Sequence, residues 1–353
     1  MARHLKGYKD LTKTEDERAL ALHRKAIIVD GSNVPVVDPF LEKPITDEYF
    51  DRMRVGGVTA SNITVPYDVQ ADSGRAFREF SEHREWLARS SDRAFLALKA
   101  DDIERAKTEG RTAIIFGPQN ASFLDQQLGL LNVFYDTGVR VLQLTYNTRN
   151  FVGDGCMEKA NAGLSNFGIA LVEEMNKLGV LIDLSHCGQR TTLDAIERSN
   201  KPVIFSHAGV RSVFDHPRNK TDAEIQALAE KGGVLGISPY IVFLTDWESG
   251  PKRPTLDLMF DHVDYVEKLV GVDHIGIGSD VNDRNETRRS WYIEEFPETL
   301  GKSYRGDYPE GFEHSLAYFP NITRGLVSRG YSDEEILKIL GGNFLRVFRE
   351  VWR

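Results

Sequence analysis

Short apolar runs rich in β-branched residues alternate along this chain with segments that have the spacing of amphipathic helices. Most of the runs are continuously apolar, which is typical of strands buried on both faces of a parallel sheet. Eight such runs are present: Ala26–Gly31, Val58–Val65, Arg111–Gly117, Val139–Tyr146, Val180–His186, Pro202–Ala208, Gly233–Tyr240 and His274–Asp280. Eight strand–helix repeats predict an α/β fold, a (β/α)8 barrel of the TIM type. A doubly wound open sheet is less favoured, because no G-x-G-x-x-G motif follows the first run.

Four of the intervening segments carry clear helix signals. Leu164–Leu178 has apolar residues near i, i+4 spacing, and Phe260–Val270 has a similar stripe. Thr221–Lys231 and Ser332–Leu340 each begin with a hydroxyl residue that is followed three positions later by glutamate. That spacing predicts a capping box at the start of both helices.

The repeats favour one barrel domain over residues 1–353 rather than two domains, since α/β barrels often exceed about 250 residues. Residues 1–25 are expected to form an N-terminal extension, and residues 283–308 a loop over the barrel mouth. The amphipathic segment Phe344–Trp352 is expected to pack on the barrel.

Composition narrows the function classes. The chain has 44 Lys+Arg against 53 Asp+Glu, a net charge of −9, and this argues against binding to nucleic acid or to a membrane surface. The polar N-terminus lacks the apolar segment of a signal peptide, so we expect a cytoplasmic protein. Two cysteines cannot build a disulfide framework. Any metal site must therefore use the nine histidines and the carboxylates.

Polar residues end six of the eight predicted strands, and in a barrel the catalytic groups lie at these ends. His186 and His207 end consecutive strands, so both imidazoles should enter one mouth, where they suit a divalent metal such as zinc. Asp280 ends the eighth strand, next to Asp30 once the barrel closes, and is a candidate metal ligand or general base.

Two further residues are candidates for substrate binding. Arg218, in the loop after the sixth predicted strand, has the geometry to bind a substrate carboxylate. Asn33 lies at the end of the first strand. Cys187 is expected to pack in the interior, and Cys156 lacks a basic neighbour that would activate its thiol.

These residues resemble the motifs of the membrane (renal) dipeptidase family, a branch of the amidohydrolase superfamily. The resemblance rests on Asp183-Leu184-Ser185-His186, on Pro202 to His207, on His216-Pro217-Arg218-Asn219, on His274 to Asp280 and on Gly342 to Phe348. It extends over about residues 25 to 350. It implies a distorted barrel with a binuclear zinc site, a metal-dependent hydrolase fold whose members cleave dipeptides and related amides.

The chain departs from the family at several ligand positions. The first strand of the family usually reads Asp-Gly-His-Asn-Asp, and here Ser32 and Val34 replace its histidine and second aspartate. Gln119 replaces a bridging glutamate, and Tyr146 replaces a histidine on the substrate side of the site. The chain is therefore interpreted as a divergent member, with one zinc ion rather than two.

The resemblance implies a dipeptidase-like hydrolase with a reduced, mononuclear site. In this reading His186, His207 and Gln119 hold the metal, Asp280 moves the proton, and Tyr146 donates a hydrogen bond to the oxyanion. One alternative is a lyase, hydratase or isomerase that acts on a small carboxylated substrate with Asp280 as base. Another is a non-catalytic binding protein on the same fold. A homodimer is compatible with each reading.

Overall fold

The computed structural model describes residues 7–35, 47–67, 69–247, 252–282, 308–313 and 315–352. Within these residues one sheet contains ten strands, and every strand pairing in it is parallel. The strands are β1 (Val29–Val34), β2 (Ala60–Ile63), β3 (Ala94–Leu96), β4 (Thr112–Phe116), β5 (Val141–Gln143), β6 (Leu181–Asp183), β7 (Ile204–Ala208), β8 (Val234–Ile237), β9 (Ile275–Ile277) and β10 (Val281–Asn282).

The α-helices of the same residues surround this sheet. They are α1 (Lys13–Lys25), α2 (Asp47–Val55), α3 (Ser73–Arg89), α4 (Asp101–Glu109), α5 (Leu130–Thr137), α6 (Asn166–Leu178), α7 (Gln189–Arg198), α8 (Asp222–Glu230), α9 (Asp257–Val270), α10 (Phe319–Ser328), α11 (Asp333–Leu337) and α12 (Asn343–Val351). Among these helices, none is both long enough and apolar enough to cross a membrane.

Eight strands close into the predicted (β/α)8 barrel, in the order β1-β2-β4-β5-β6-β7-β8-β9. Closure between β9 and β1 places Ile277 opposite Asp30. Between β4 and β5 the contact is a single bridge, from Phe116 to Val139, with the Arg140 N–H donating to Phe116 O at 3.2 Å. The fold predicted from the eight apolar runs is therefore confirmed.

Two short strands lie outside the eight that were predicted. β3 pairs with the first half of β4, where Ala94 lies opposite Thr112. β10 pairs with the last two residues of β1. β3 has only three residues and follows the long helix α3 closely. Such a short apolar run cannot be recognised as a strand from the spacing of apolar residues alone.

The helix signals in the sequence are confirmed. α8 begins after Thr221 and α11 after Ser332, and both capping boxes form as predicted. The predicted N-terminal extension contains α1, whose buried His23 has its Nδ1 2.7 Å from Thr323 Oγ1 on α10. Of the predicted loop at 283–308, all but Tyr308 lies outside the described residues.

Helix α12 closes one end of the barrel. Its apolar side chains form a buried cluster with the first residues of six barrel strands: Val29, Ala60, Val141, Leu181, Ile204 and Val234. Trp352 stacks on Phe348 with ring centroids 4.3 Å apart, and its indole N–H donates to Arg140 O at 3.1 Å. The N-terminal ends of the strands are thus sealed, so the open mouth lies at their C-terminal ends.

Candidate active site

Two buried imidazoles meet at the mouth of the barrel. His186 follows β6 by three residues, and His207 lies within β7. Their Nε2 atoms are 2.9 Å apart, and the two side chains are buried. The structure therefore brings together the two histidines that the sequence placed on consecutive strand ends.

The Nδ1 atoms of both rings are held by neighbours that fix the tautomers. His186 Nδ1 is 2.7 Å from Asn147 Oδ1, a carbonyl oxygen that can only accept, so this nitrogen carries the proton. His207 Nδ1 is 2.8 Å from Ser206 Oγ. The Ser206 hydroxyl donates to Asp183 Oδ2 at 2.5 Å, and this charge-assisted bond leaves its oxygen to accept from His207.

These tautomers direct two nitrogen lone pairs at each other. Burial, followed by the charges of Arg218 and Lys220, holds the pKa of His207 well below its usual value, so this ring is neutral. Two lone pairs 2.9 Å apart repel each other unless an electrophile lies between or beside them. In these tautomers both Nε2 atoms are available as ligands for a cation.

Arg218 is buried beneath the two histidines. Its Nη1 donates to Ser185 O at 2.6 Å and its Nη2 donates to His207 O at 3.2 Å. The guanidinium also lies 4.9 Å from the centre of the Phe243 ring. Arg218 thus joins the ends of β6 and β7, whereas the sequence predicted that it reaches a substrate carboxylate. That second role stays a prediction.

Asp280 lies beside His207 in a constrained backbone. Its Oδ1 is 3.9 Å from His207 Nε2, and it is the one carboxylate of the described residues within 4.0 Å of that imidazole. The residue has a φ of 53°, in the left-handed region that few non-glycine residues adopt. Its N–H donates to Ser32 O and its carbonyl accepts from the Tyr308 hydroxyl, so the turn is held from both sides.

Tyr146 covers the other histidine. Its ring stacks on the imidazole of His186, with centroids 4.0 Å apart and an angle of 20° between the planes. Tyr146 is half-buried at the mouth, where the sequence predicted it.

Gln119 follows the end of β4, and its side chain reaches Ser32 of β1. Its amide Nε2 donates to Ser32 Oγ at 2.9 Å, and its backbone carbonyl accepts from the side chain of Gln143. None of the hydrogen bonds found for it in the described part of the chain is to a histidine. The residues at two family ligand positions, Ser32 and Gln119, therefore bond to each other, and Gln119 as a metal ligand stays a prediction.

Asn33 lies near the C-terminal end of β1, where it is part of a buried network. Its amide donates to Asp30 Oδ2 at 2.8 Å and to Ser61 Oγ, and its side-chain carbonyl accepts from the Tyr49 hydroxyl. The side chain has no exposed surface. Its donors and acceptor are used inside the wall, and substrate binding by Asn33 stays a prediction.

Asp30 joins the first and last strands of the barrel. Its carboxylate accepts from the N–H and the hydroxyl of Ser279, both at 2.7 Å. Burial raises the pKa of Asp30 to about 6, and these hydrogen bonds oppose that rise. These contacts join β1 to the segment that follows β9, at the residue before Asp280.

Zinc, which the resemblance implies, has two suitable ligands among these residues. The converging lone pairs of His186 and His207 are suitable ligands. Ser32, Val34 and Gln119 offer no charged ligand for a second ion. In the described ranges, no three or more His, Cys, Asp and Glu residues are arranged to hold a metal. Since zinc sites usually have at least three protein ligands, we expect weaker binding than at a complete site.

Three residues that orient the imidazoles were not assigned a role from the sequence. They are Asn147, Asp183 and Ser206. A signal was present, because the dipeptide Ser-His occurs at two consecutive strand ends, at 185–186 and 206–207. A polar residue next to a buried histidine commonly orients its ring.

Comparison with known proteins gives consistent matches. The chain matches the family described as membrane dipeptidase (peptidase family M19) over residues 16–290 and 299–353. It is 33% identical to dipeptidase tcpJ of Claviceps purpurea over 263 residues, which cover 74% of this chain and 56% of that protein. It is 32% identical to dipeptidase verJ of Clonostachys rogersoniana over 336 residues, 92% of this chain and 78% of that protein.

Solved structures agree with these relatives. An amidohydrolase from Pseudomonas aeruginosa superposes with a TM-score of 0.85 at 33% identity, covering 95% of this chain and 99% of the other. The probable dipeptidase PvdM from the same organism superposes with a TM-score of 0.81 at 22% identity, which shows the shared fold; the alignment covers 97% of this chain and 99% of the other. The resemblance drawn from the strand-end motifs is confirmed: this chain belongs to the membrane dipeptidase family, peptidase family M19.

Proposed function

We propose that this protein hydrolyses a dipeptide or a related small amide at the mouth of the barrel, with one zinc ion. The observation that carries the proposal is the pair of buried imidazoles whose Nε2 atoms converge to 2.9 Å at the mouth. The names of the curated dipeptidase relatives support the substrate class.

His186 and His207 would hold the ion, and Asp280 is the nearest carboxylate that could complete its ligands. Bound there, zinc supplies a Lewis acid that polarises the scissile carbonyl. The roles of the chain's own groups follow from their positions around the two imidazoles.

Asp280 accepts a proton from the attacking water and returns it to the leaving amine. Its place beside His207 suits this role, because general acid–base catalysis needs the group within reach of the reacting atoms. Tyr146 lies against His186 on the other side and donates a hydrogen bond to the developing oxyanion. Arg218 keeps the two histidine-bearing strand ends together through their carbonyls.

Metal content and hydrolysis together test the proposal. Protein purified without chelator is analysed for zinc, and a panel of dipeptides is then assayed for cleavage. We expect close to one zinc per chain and hydrolysis of at least one dipeptide. Asp280→Asn is expected to lower kcat about 10²–10⁴-fold. His207→Ala is expected to remove both zinc and activity.

Asp215→Asn is a suitable matched control, since this aspartate is exposed and pairs with Arg211 on the surface. It should leave zinc content and kcat unchanged. Folded protein that contains no zinc and cleaves no dipeptide would refute the proposal. Activity that survives His207→Ala would show that the reaction takes place elsewhere.

A further inference from the structure

A second concave region lies at the sealed end of the barrel, opposite the mouth. A cavity of about 550 Å³ is formed where β2 and β4 begin and where α1, α2 and α4 end. Gly57 and Thr59 line it just before β2, and Arg111 lines it just before β4. It shares no lining residue with the candidate active site.

The lining of this cavity is rich in basic side chains. Two acidic residues, Asp51 and Asp92, face five basic ones: Arg24, Arg54, Arg93, Lys107 and Arg111. The chain as a whole has a net charge of −9, so this excess of positive charge is local and opposite in sign to the average. Such a concentration attracts anions.

Three of the five cations already have carboxylate partners. Arg54 lies 3.4 Å from Asp51, Arg93 lies within 4.0 Å of Asp47, Asp51 and Asp92, and Arg111 pairs with Glu109. These pairs satisfy the arginines without making the cavity neutral.

The other two cations differ. In the part of the chain that the structure describes, no carboxylate lies within ion-pair distance of Arg24 or of Lys107. Lys107 is half-buried, and burial lowers the pKa of its ammonium group. A desolvated ammonium without a counter-charge is unfavourable, and a bound anion would relieve that cost.

Helix dipoles explain part of this arrangement. Arg24, Arg54 and Lys107 lie in the last turns of their helices, where a positive side chain offsets the partial negative charge of the helix end. Arg93 and Arg111 do not lie on helix ends; they precede β3 and β4 and point into the same space. Both groups therefore line the same cavity.

We propose that this cavity binds a small multivalent anion, a phosphorylated or polycarboxylate molecule, with Lys107 and Arg24 as its unpaired cationic ligands. The volume admits an anion with an organic body, and the apolar contribution of Val58 and Phe50 suits that body. The site is independent of catalysis at the mouth.

Isothermal titration of the full chain tests this inference with two probes, pyrophosphate for phosphoryl groups and tricarballylate for carboxylates. We expect saturable binding of at least one probe, weakened by added salt. Lys107→Gln and Arg24→Gln should each weaken it about tenfold, the loss of one charge-assisted contact. Lys177→Gln, on an exposed α6 lysine, is the matched control and should change affinity by less than about twofold.

The probe that binds identifies the source of the anion: pyrophosphate alone indicates a phosphorylated ligand, and tricarballylate alone a polycarboxylate. Absence of saturable binding for both probes would overturn the inference. Equal affinity in Lys107→Gln and wild type would overturn it too, because the anion would then bind elsewhere, for example at the zinc site. Loss of dipeptide hydrolysis has no bearing on these outcomes.

Discussion

The hydrogen-bonded chain from Asp183 through Ser206 to His207 offers the sharpest test of how this site is organised. Ser206→Ala removes a hydroxyl that donates to Asp183 at 2.5 Å and lies 2.8 Å from His207 Nδ1. The His207 Nδ1–H then has no acceptor, and a buried donor without a partner costs about 1–3 kcal/mol. The remaining carboxylate contacts of Asp183, from Ser185 and from the backbone of residue 206, stay in place.

His207 can escape that cost only by moving its proton to Nε2, where His186 accepts it at 2.9 Å. This change of tautomer removes the lone pair that would bind zinc. Loss of a group that orients a metal-binding histidine typically lowers metal affinity about 10–100-fold. We therefore expect Ser206→Ala to bind zinc that much more weakly. Whichever tautomer His207 adopts, the lost hydrogen bond to the buried Asp183 carboxylate should make the variant less stable by about 1–3 kcal/mol.

The assay is a competition titration with a chelating dye, together with urea unfolding of the zinc-free protein. Ser212→Ala is the matched control: Ser212 also donates to an aspartate, Asp222, at 2.8 Å, but on the exposed surface. It should change stability by less than about 0.5 kcal/mol and leave zinc affinity unchanged. Zinc affinity in Ser206→Ala equal to that of wild type would refute the proposed orientation of His207.

Three further predictions concern the barrel around the site. Because burial raises the pKa of Asp30 to about 6, the folded state holds this proton more tightly than the unfolded state. The resulting stabilisation of the folded state, about 3 kcal/mol, is present below pH 4 and is lost as pH rises through 6. Asparagine does not ionise, so between pH 4 and 7 the free energy of unfolding of Asp30→Asn, measured in urea, should rise by about 3 kcal/mol relative to that of wild type. Arg218→Lys replaces two guanidinium donors of fixed geometry by a shorter side chain with a single ammonium, and should lower the free energy of unfolding by about 2 kcal/mol; an unchanged value would contradict the bridging role. Trp352→Ala should cost about 3–5 kcal/mol in the same assay, since it opens the seal of the barrel, and a cost below about 1 kcal/mol would show that the seal does not depend on it.

What the sequence predicted well was local. The capping boxes at Thr221 and Ser332 depend on residues three positions apart, and both form. The meeting of His186 and His207 also followed from a short argument, because consecutive parallel strands end side by side. Pattern and spacing were sufficient wherever neighbours in the chain decide the outcome.

Side-chain direction was harder to predict. Arg218 lies in a loop over the mouth, and whether it turns inward to backbone carbonyls or outward to solvent depends on how β6 and β7 end. Asn33 illustrates the same difficulty within a strand, since its partners Ser61 and Tyr49 lie on other elements. The identity of a residue says which hydrogen bonds it can form, and only tertiary contacts say which of them it does.

The seal made by α12 has a consequence for the order in which the molecule can fold. Phe344 and Trp352 follow all ten described strands in the chain, yet they belong to the same buried cluster as the first residues of six of them. During synthesis the strands are made first, and the segment that covers their apolar ends is made later. Contacts over such long sequence separations also slow folding. The apolar starts of these strands therefore stay exposed until residues 343–352 have been made.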